Sequence, residues 1–174
     1  LIGNYPGLPL MSNDFTFANV TSGSISLIAE SVSDLPVMGQ QNAEISKFRI
    51  ENTTSTTTNG ESVAIRHLEL YNGGDNIISN VKLSDGTNTV AGIVDGSKLI
   101  FNLDTLIKSS KSKTFRVYAD VGGDENDSIE IYARNTYDII ALGKDYNFGA
   151  KVNISAFGDD DVSSLALVSS GNLE

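Results

Sequence analysis

The stretch Thr114-Phe115-Arg116-Val117-Tyr118-Ala119-Asp120-Val121 alternates apolar and polar residues without a break. Side chains of an extended strand point to opposite faces at every step. Phe115, Val117, Ala119 and Val121 therefore share one face, and Arg116, Tyr118 and Asp120 share the other. Such a strand buries one side only, so it needs a sheet around it and a second layer to cover the apolar face. The same period recurs at Leu99/Phe101/Leu103, at Ile129/Ile131/Ala133 and at Phe48/Ile50. Helical spacing is confined to Asp104-Thr105-Leu106-Ile107-Lys108, a single turn at most.

These runs predict an all-β chain: an immunoglobulin-like β-sandwich of antiparallel strands with extended N- and C-terminal segments. Its predicted core is Phe48, Ile50, Val63, Ile65, Leu83, Leu99, Phe101, Phe115, Val117, Ile129 and Ile131. Composition agrees, since 40 of the 174 residues are Val, Ile or Thr, which suit a pleated, half-buried surface. Turn chemistry separates the runs, at Asn72-Gly73-Gly74-Asp75, Asp85-Gly86, Asp95-Gly96, Gly122-Gly123-Asp124 and Gly158 to Asp161. Residues 53–59 form a Thr-rich exposed loop. From Ser62 to Tyr71 the apolar phase slips at Arg66-His67, which predicts a β-bulge and places His67 towards solvent. The expected organisation is an extended segment over 1–22, a sandwich over 23–157, and a strand or linker over 158–174.

Charge and rare residues narrow the function. The formal net charge is -10, and no basic patch that would grip a phosphate backbone stands against it, so nucleic acid is not an expected partner. There is one His and no Cys, which leaves no thiol chemistry, no Cys-based metal centre and no site with two histidine ligands. His67 lies in no nucleophile motif, so the sequence reads as non-catalytic. No apolar run is long enough to cross a membrane. The chain begins Leu1-Ile2-Gly3, without a charged leader, as in a mature product or a piece of a longer protein. Its acidic surface, rich in Ser, Thr and Asn, favours the outside of a cell. Sequons at Asn19, Asn52, Asn126 and Asn153 fit that setting.

Two sets of residues are candidates for interaction. The loop Asp120-Val121-Gly122-Gly123-Asp124-Glu125-Asn126-Asp127 is dense in oxygen donors, and Asp120, Asp124, Asn126 and Asp127 could serve calcium, which takes six to eight hard oxygen ligands. The alternative is that Asp, Asn and Gly are simply what tight turns require. The first 22 residues carry Leu8, Leu10, Phe15, Phe17 and Val20, interrupted by Pro6 and Pro9. They would form either the first strand of their own sandwich or a strand added to the sheet edge of another copy. Ala18-Asn19-Val20-Thr21-Ser22-Gly23-Ser24-Ile25 also echoes Ala166-Leu167-Val168-Ser169-Ser170-Gly171-Asn172-Leu173, as if the terminal segments were the tail of one module and the head of another.

Taken together, Lys47-Phe48-Arg49-Ile50, Val63 to Leu70, Asn80-Val81-Lys82-Leu83-Ser84-Asp85-Gly86, Phe101-Asn102-Leu103 and the Ala119-Asp120-Val121 strand end resemble a β-sandwich module. That module recurs in large surface-layer-like, adhesin-like and filament proteins of prokaryotes, and the resemblance covers roughly residues 23–157. It implies extracellular display at the cell surface and a structural or adhesive role, with no catalytic residues. The leading expectation is a structural module that associates head-to-tail with other copies or neighbouring modules. The other is an adhesion or carbohydrate-binding module, with glycans as partners.

Overall fold

In the computed structural model the described residues are 21–54, 60–162 and 164–167. Thirteen strands follow in chain order: β1 (Ser24–Glu30), β2 (Ala43–Asn52), β3 (Val63–Asn72), β4 (Ile78–Ser84), β5 (Thr89–Ala91), β6 (Ile93–Asp95), β7 (Lys98–Ile107), β8 (Ser112–Val121), β9 (Ser128–Ile129), β10 (Ile131–Tyr132), β11 (Ile139–Gly143), β12 (Lys151–Ala156) and β13 (Leu165–Ala166). The only described helices are two 3-10 turns, Thr136–Asp138 and Asp159–Asp161. One sheet has the order β12-β1-β2-β8-β4-β5. A second has the order β10-β3-β7-β6, with β11 beside β10 on the same edge of β3, and a small third sheet pairs β13 with β9. The chain is thus an all-β sandwich, compatible with an immunoglobulin-like fold.

Every one of the eleven predicted core residues is buried, none more than 3 % exposed. The centre of the core is aromatic. Phe48 on β2 and Phe115 on β8 face each other in register, with ring centroids 5.5 Å apart. Phe157, just past β12, stacks on Phe48 at 4.6 Å. Offset stacking of this kind adds to the burial of the rings themselves. The predicted slip in β3 is present, because pairing with both β7 and β11 skips Arg66. His67 lies beside this bulge, half-exposed, with Nδ1 3.1 Å from the side-chain oxygen of Asn102.

Two features depart from the sequence reading. Asp104 to Ile107 is the end of a strand and not a helical turn. Thr105 and Ile107 are buried while Leu106 is 41 % exposed, and β7 continues its pairing along β3 to Val63. The strands are also not all antiparallel, since β1 and β12 run parallel from Ser24/Lys151 to Ile28/Ala156. That pairing brings the first described strand beside one that lies more than a hundred residues later.

The strand directions define two poles. At one, β1 begins at Ser24, β2 ends at Asn52, and the turn from β11 to β12 closes over them. Asn52 fastens this pole. Its buried amide donates to the carbonyls of Glu61 (2.9 Å) and Ile107 (3.1 Å), and its oxygen accepts from the Thr54 N–H. At the opposite pole, β8 ends at Val121, and the Leu167 N–H donates to the Asp127 carbonyl. Between the poles β8 spans ten residues, about 30 Å at ~3.3 Å per residue. The first described strand therefore begins at one pole, and the last described residues lie at the other.

Candidate interaction surface

Each side seam of the sandwich holds a place where the chain changes sheets. On one side, β5 passes to β6 through Gly92. Its N–H donates to the Val81 carbonyl, and the Phe101 ring fills the space a Cβ would need. On the other side, β11 ends the second sheet and β12 is the edge of the first, joined by the turn Lys144 to Asn147. The two strands begin as a hairpin, with Gly143 donating to the Phe148 carbonyl and Ala150 donating to the Ala141 carbonyl, both at 2.8 Å. They then separate, because β12 turns to pair with β1 while β11 stays on β3.

The separation opens a cleft of about 370 Å³, lined by Tyr137, Ile139, Ile140, Leu142, Ala150 and Val152, with Lys151 its one charged residue. Two of its lining residues, Tyr137 and Ile140, are large, apolar and exposed. Of the eight large hydrophobic residues exposed among those described, Tyr137 (79 %), Ile140 (48 %), Tyr146 (45 %) and Phe148 (61 %) lie within twelve positions. Isolated exposed apolar groups are ordinary, but a contiguous patch marks a contact surface. Beyond the hairpin bonds at residues 141–143 and 148–150, β12 has only β1 as a ladder neighbour. Towards the opposite pole the seam is closed by the chain itself, through the bond from the Ala133 N–H to the Phe157 carbonyl and the pairing of β13 with β9.

A buried carboxylate holds the hairpin in place. Glu61 is 1 % exposed, and its Oε1 accepts from the N–H groups of Asp145 and Tyr146, each at 2.9 Å. Its Oε2 has no partner among the described residues. Sequence reasoning missed Glu61, which sits in a polar stretch that reads as a turn. A second buried acid, Asp85, binds the two sheets at the same pole. It accepts from Lys113 Nζ on β8 (2.6 Å), from the Thr105 hydroxyl on β7 (3.0 Å) and from the Thr87 and Asn88 N–H groups. Burial pushes the Asp85 carboxyl up, but the Lys113 ammonium and the three other donors outweigh it and hold the group well below the usual carboxylate range.

The candidate calcium ligands lie at the far pole, and the oxygens of Asp120 and one of Asp127 are engaged with the protein. Asp120 accepts from the Asn42 N–H (2.8 Å) with one oxygen and from the Asn80 amide (2.6 Å) with the other. Both partners are left-handed, with φ of 53° and 50°, so the carboxylate steadies two strained corners. The Asn80 amide, followed by the Asn42 N–H, holds the Asp120 carboxyl below its ordinary pKa. Asp127 accepts from the Asp124 N–H at 2.8 Å, closing a turn in which Asn126 takes φ 78°. Among the described residues no group of three or more His, Cys, Asp or Glu is gathered as metal ligands would be. Of the sequons, Asn126 and Asn153 are exposed, whereas Asn52 is 2 % exposed and uses its amide inside the protein. Leu8, Leu10, Phe15, Phe17, Val20 and the echo at the C-terminal end lie wholly or partly outside the described residues.

Compared with known proteins, the chain matches no family model and no curated sequence. Among the described residues no helix is long and apolar enough to cross a membrane.

Proposed function

We propose that this chain is a non-catalytic structural module of an extracellular assembly, associating head-to-tail with other copies or with neighbouring modules. The observation that carries the reading is that the first described strand begins at one pole, at Ser24, and Leu167 lies at the opposite pole, with β8 running about 30 Å between the two. A module threaded in this way joins its neighbours end to end. Contacts of that heterologous kind extend into a filament unless their rotation closes a ring. The exposed seam between β11 and β12 supports the reading, because a surface exposing Tyr137 and Ile140 invites cover. The acidic surface, at net charge -10, keeps such modules soluble and apart except where specific contacts join them.

Sedimentation and negative-stain electron microscopy of the full chain test the proposal. Ordered polymers that disappear on deletion of residues 1–22, with the strand circular dichroism unchanged, support it. A monomer at all accessible concentrations overturns association between copies.

A second reading rests on Tyr137 and Tyr146, whose exposed rings could stack on a sugar. In that case the same surface serves a glycan, and a monomer that is retained on a glycan array is the expected result.

A further inference from the structure

We infer that the outer face of the second sheet packs against the same face of a second copy of this chain, about a two-fold axis. The contact goes beyond the head-to-tail reading, because it uses the flank of the sandwich and neither pole.

This face is apolar where an outer face is ordinarily polar. Along β7 the buried Leu99, Phe101 and Ile107 point to the core, so Ile100, Asn102, Asp104 and Leu106 point away from it. Register continues the apolar character across the neighbouring strands. Ile93 on β6 stands beside Ile100. Ala64 on β3 and Leu142 on β11 stand in line with Leu106. In the row between them Ile140 stands beside His67. Ile93 (61 %), Ile140 (48 %) and Leu106 (41 %) leave much of their surface in water. Among the described residues, four of the eight exposed large hydrophobic side chains lie on strands of this sheet and none on strands of the first. The first sheet turns charge outward instead, with Lys47 and Arg49 paired to Glu30 and Arg116 paired to Glu44. That is the pattern of an antiparallel sheet with one face in water, and the second sheet has the pattern of one covered on both faces.

Two observations select a second copy as the cover. The first is charge. β3 and β7 carry two basic and two acidic groups, joined as Arg66 with Asp104 and Lys98 with Glu69. These central strands are neutral, so the net charge of -10 resides outside them. Two copies repel in other approaches, and a basic partner would be drawn to the acidic remainder of the surface. In a two-fold contact the face meets itself, so a neutral apolar surface is matched by one of the same kind and no lone charge is buried. The second is area. At ~3.3 Å per residue and ~4.8 Å between strands, β3, β6, β7 and β11 present roughly 450 Å² of sheet. Two such faces bury roughly 900 Å² before side-chain relief is added, close to the ~1,000 Å² that a specific contact needs. A contact of that size is weak alone, and copies already joined end to end would reinforce it.

The chain has no Cys, so a single nitroxide can be attached to it. Asp95→Cys places the label at the exposed corner of the face and leaves the apolar rows unaltered. The labelled full chain is mixed with isotope-labelled parent chain, and amide broadening between molecules is read. Broadening of β3, β6, β7 and β11 is expected. Broadening centred on the first sheet or on residues 1–22 names another occupant and overturns the inference, as does no broadening at millimolar concentration. Broadening at the poles without the second sheet leaves the head-to-tail reading standing and removes this face. In parallel, Ile93→Glu with Leu106→Glu alters two side chains that are already exposed, so the fold stays intact. Like charges then face each other, and the contact should weaken by roughly tenfold or more. End-to-end polymers that depend on residues 1–22 should persist in that variant. Undiminished broadening in it overturns the inference.

Discussion

Gly143 lies so close to Glu61 that a Cβ at position 143 would overlap the Glu61 carboxylate. The residue is glycine because a buried acid occupies the space beside it, and that acid in turn holds the β11–β12 hairpin through two backbone N–H groups. The pair sets the geometry of the closed end of the seam.

This relationship gives a double-mutant test. Gly143→Ala alone should destabilise the chain by about 2–3 kcal/mol, because the carboxylate must move off its donors. Glu61→Ala alone should cost about 2–4 kcal/mol, since it removes the acceptor of two hairpin N–H groups and leaves a space where the buried side chain was. Combined, the cost should fall short of the sum by about 1 kcal/mol or more, as it does for residues in direct contact. Chemical denaturation of the four chains measures this. Simple additivity would show that the two positions do not share the space.

Asp85 predicts an acid limb. Its carboxyl is held below the ~3.9 of an unfolded Asp, so the stabilisation it provides is complete above that value. It is lost as pH falls through the lower folded-state value. Denaturation midpoints should drop steeply below about pH 4 in the parent chain. Asp85→Asn should lose about 2–4 kcal/mol at neutral pH, by removing the ionic partner of Lys113 and disturbing a buried cluster. It should also show a shallower decline in acid. An identical pH profile for the two chains would count against this role.

Gly92 should tolerate no side chain. A Cβ there would meet the Phe101 ring and Val81 where the chain passes between sheets. Gly92→Ala is expected to cost about 1–3 kcal/mol through overpacking. Gly86, with open space around it but φ 83°, should lose less on the same change, about 1 kcal/mol, from the left-handed backbone alone. Thermal unfolding of both variants gives the ranking, and a reversed order would refute the steric explanation.

Phe157→Ala removes the ring stacked on Phe48 and opens the core next to the seam. A loss of about 3–5 kcal/mol is expected. Phe157 also ties the chain to Ala133 through its carbonyl, so amide exchange at Ala133 should speed up more than at Val117, deep in β8. Uniform acceleration would mean that the ring supports the whole sandwich and not the seam in particular.

The layered β architecture was legible because its signal is local. Period-2 alternation in β8 names buried residues without reference to any partner, and the phase slip at Arg66-His67 marks the bulge in the same way. The end of β7 was obscured because Leu103, Leu106 and Ile107 happen to fall at helical spacing. Pairing with β3 outweighs that local preference. The seam was not legible. It exists because β12 leaves β11 to run parallel to β1, a choice made by contacts more than a hundred residues apart. Glu61 was hidden for the same reason, since its donors lie 84 and 85 positions further on. The Asp and Asn residues from Asp120 to Asp127 were visible as a cluster, but the partners of Asp120 are Asn42 and Asn80, far away in the chain.

The opposite poles also decide how the module would carry load. Tension applied through residues on either side of the sandwich would draw β1 along its own axis. Its bonds to β2 on one side and β12 on the other would then be strained together in shear, and none could be peeled singly. The short β13, held to β9 by two residue pairs, has no such arrangement and would release first, paying out the segment after Phe157 while the sandwich held. A string of these modules would lengthen slightly under a small pull and then resist, behaving as a stiff tether with a short slack at every joint.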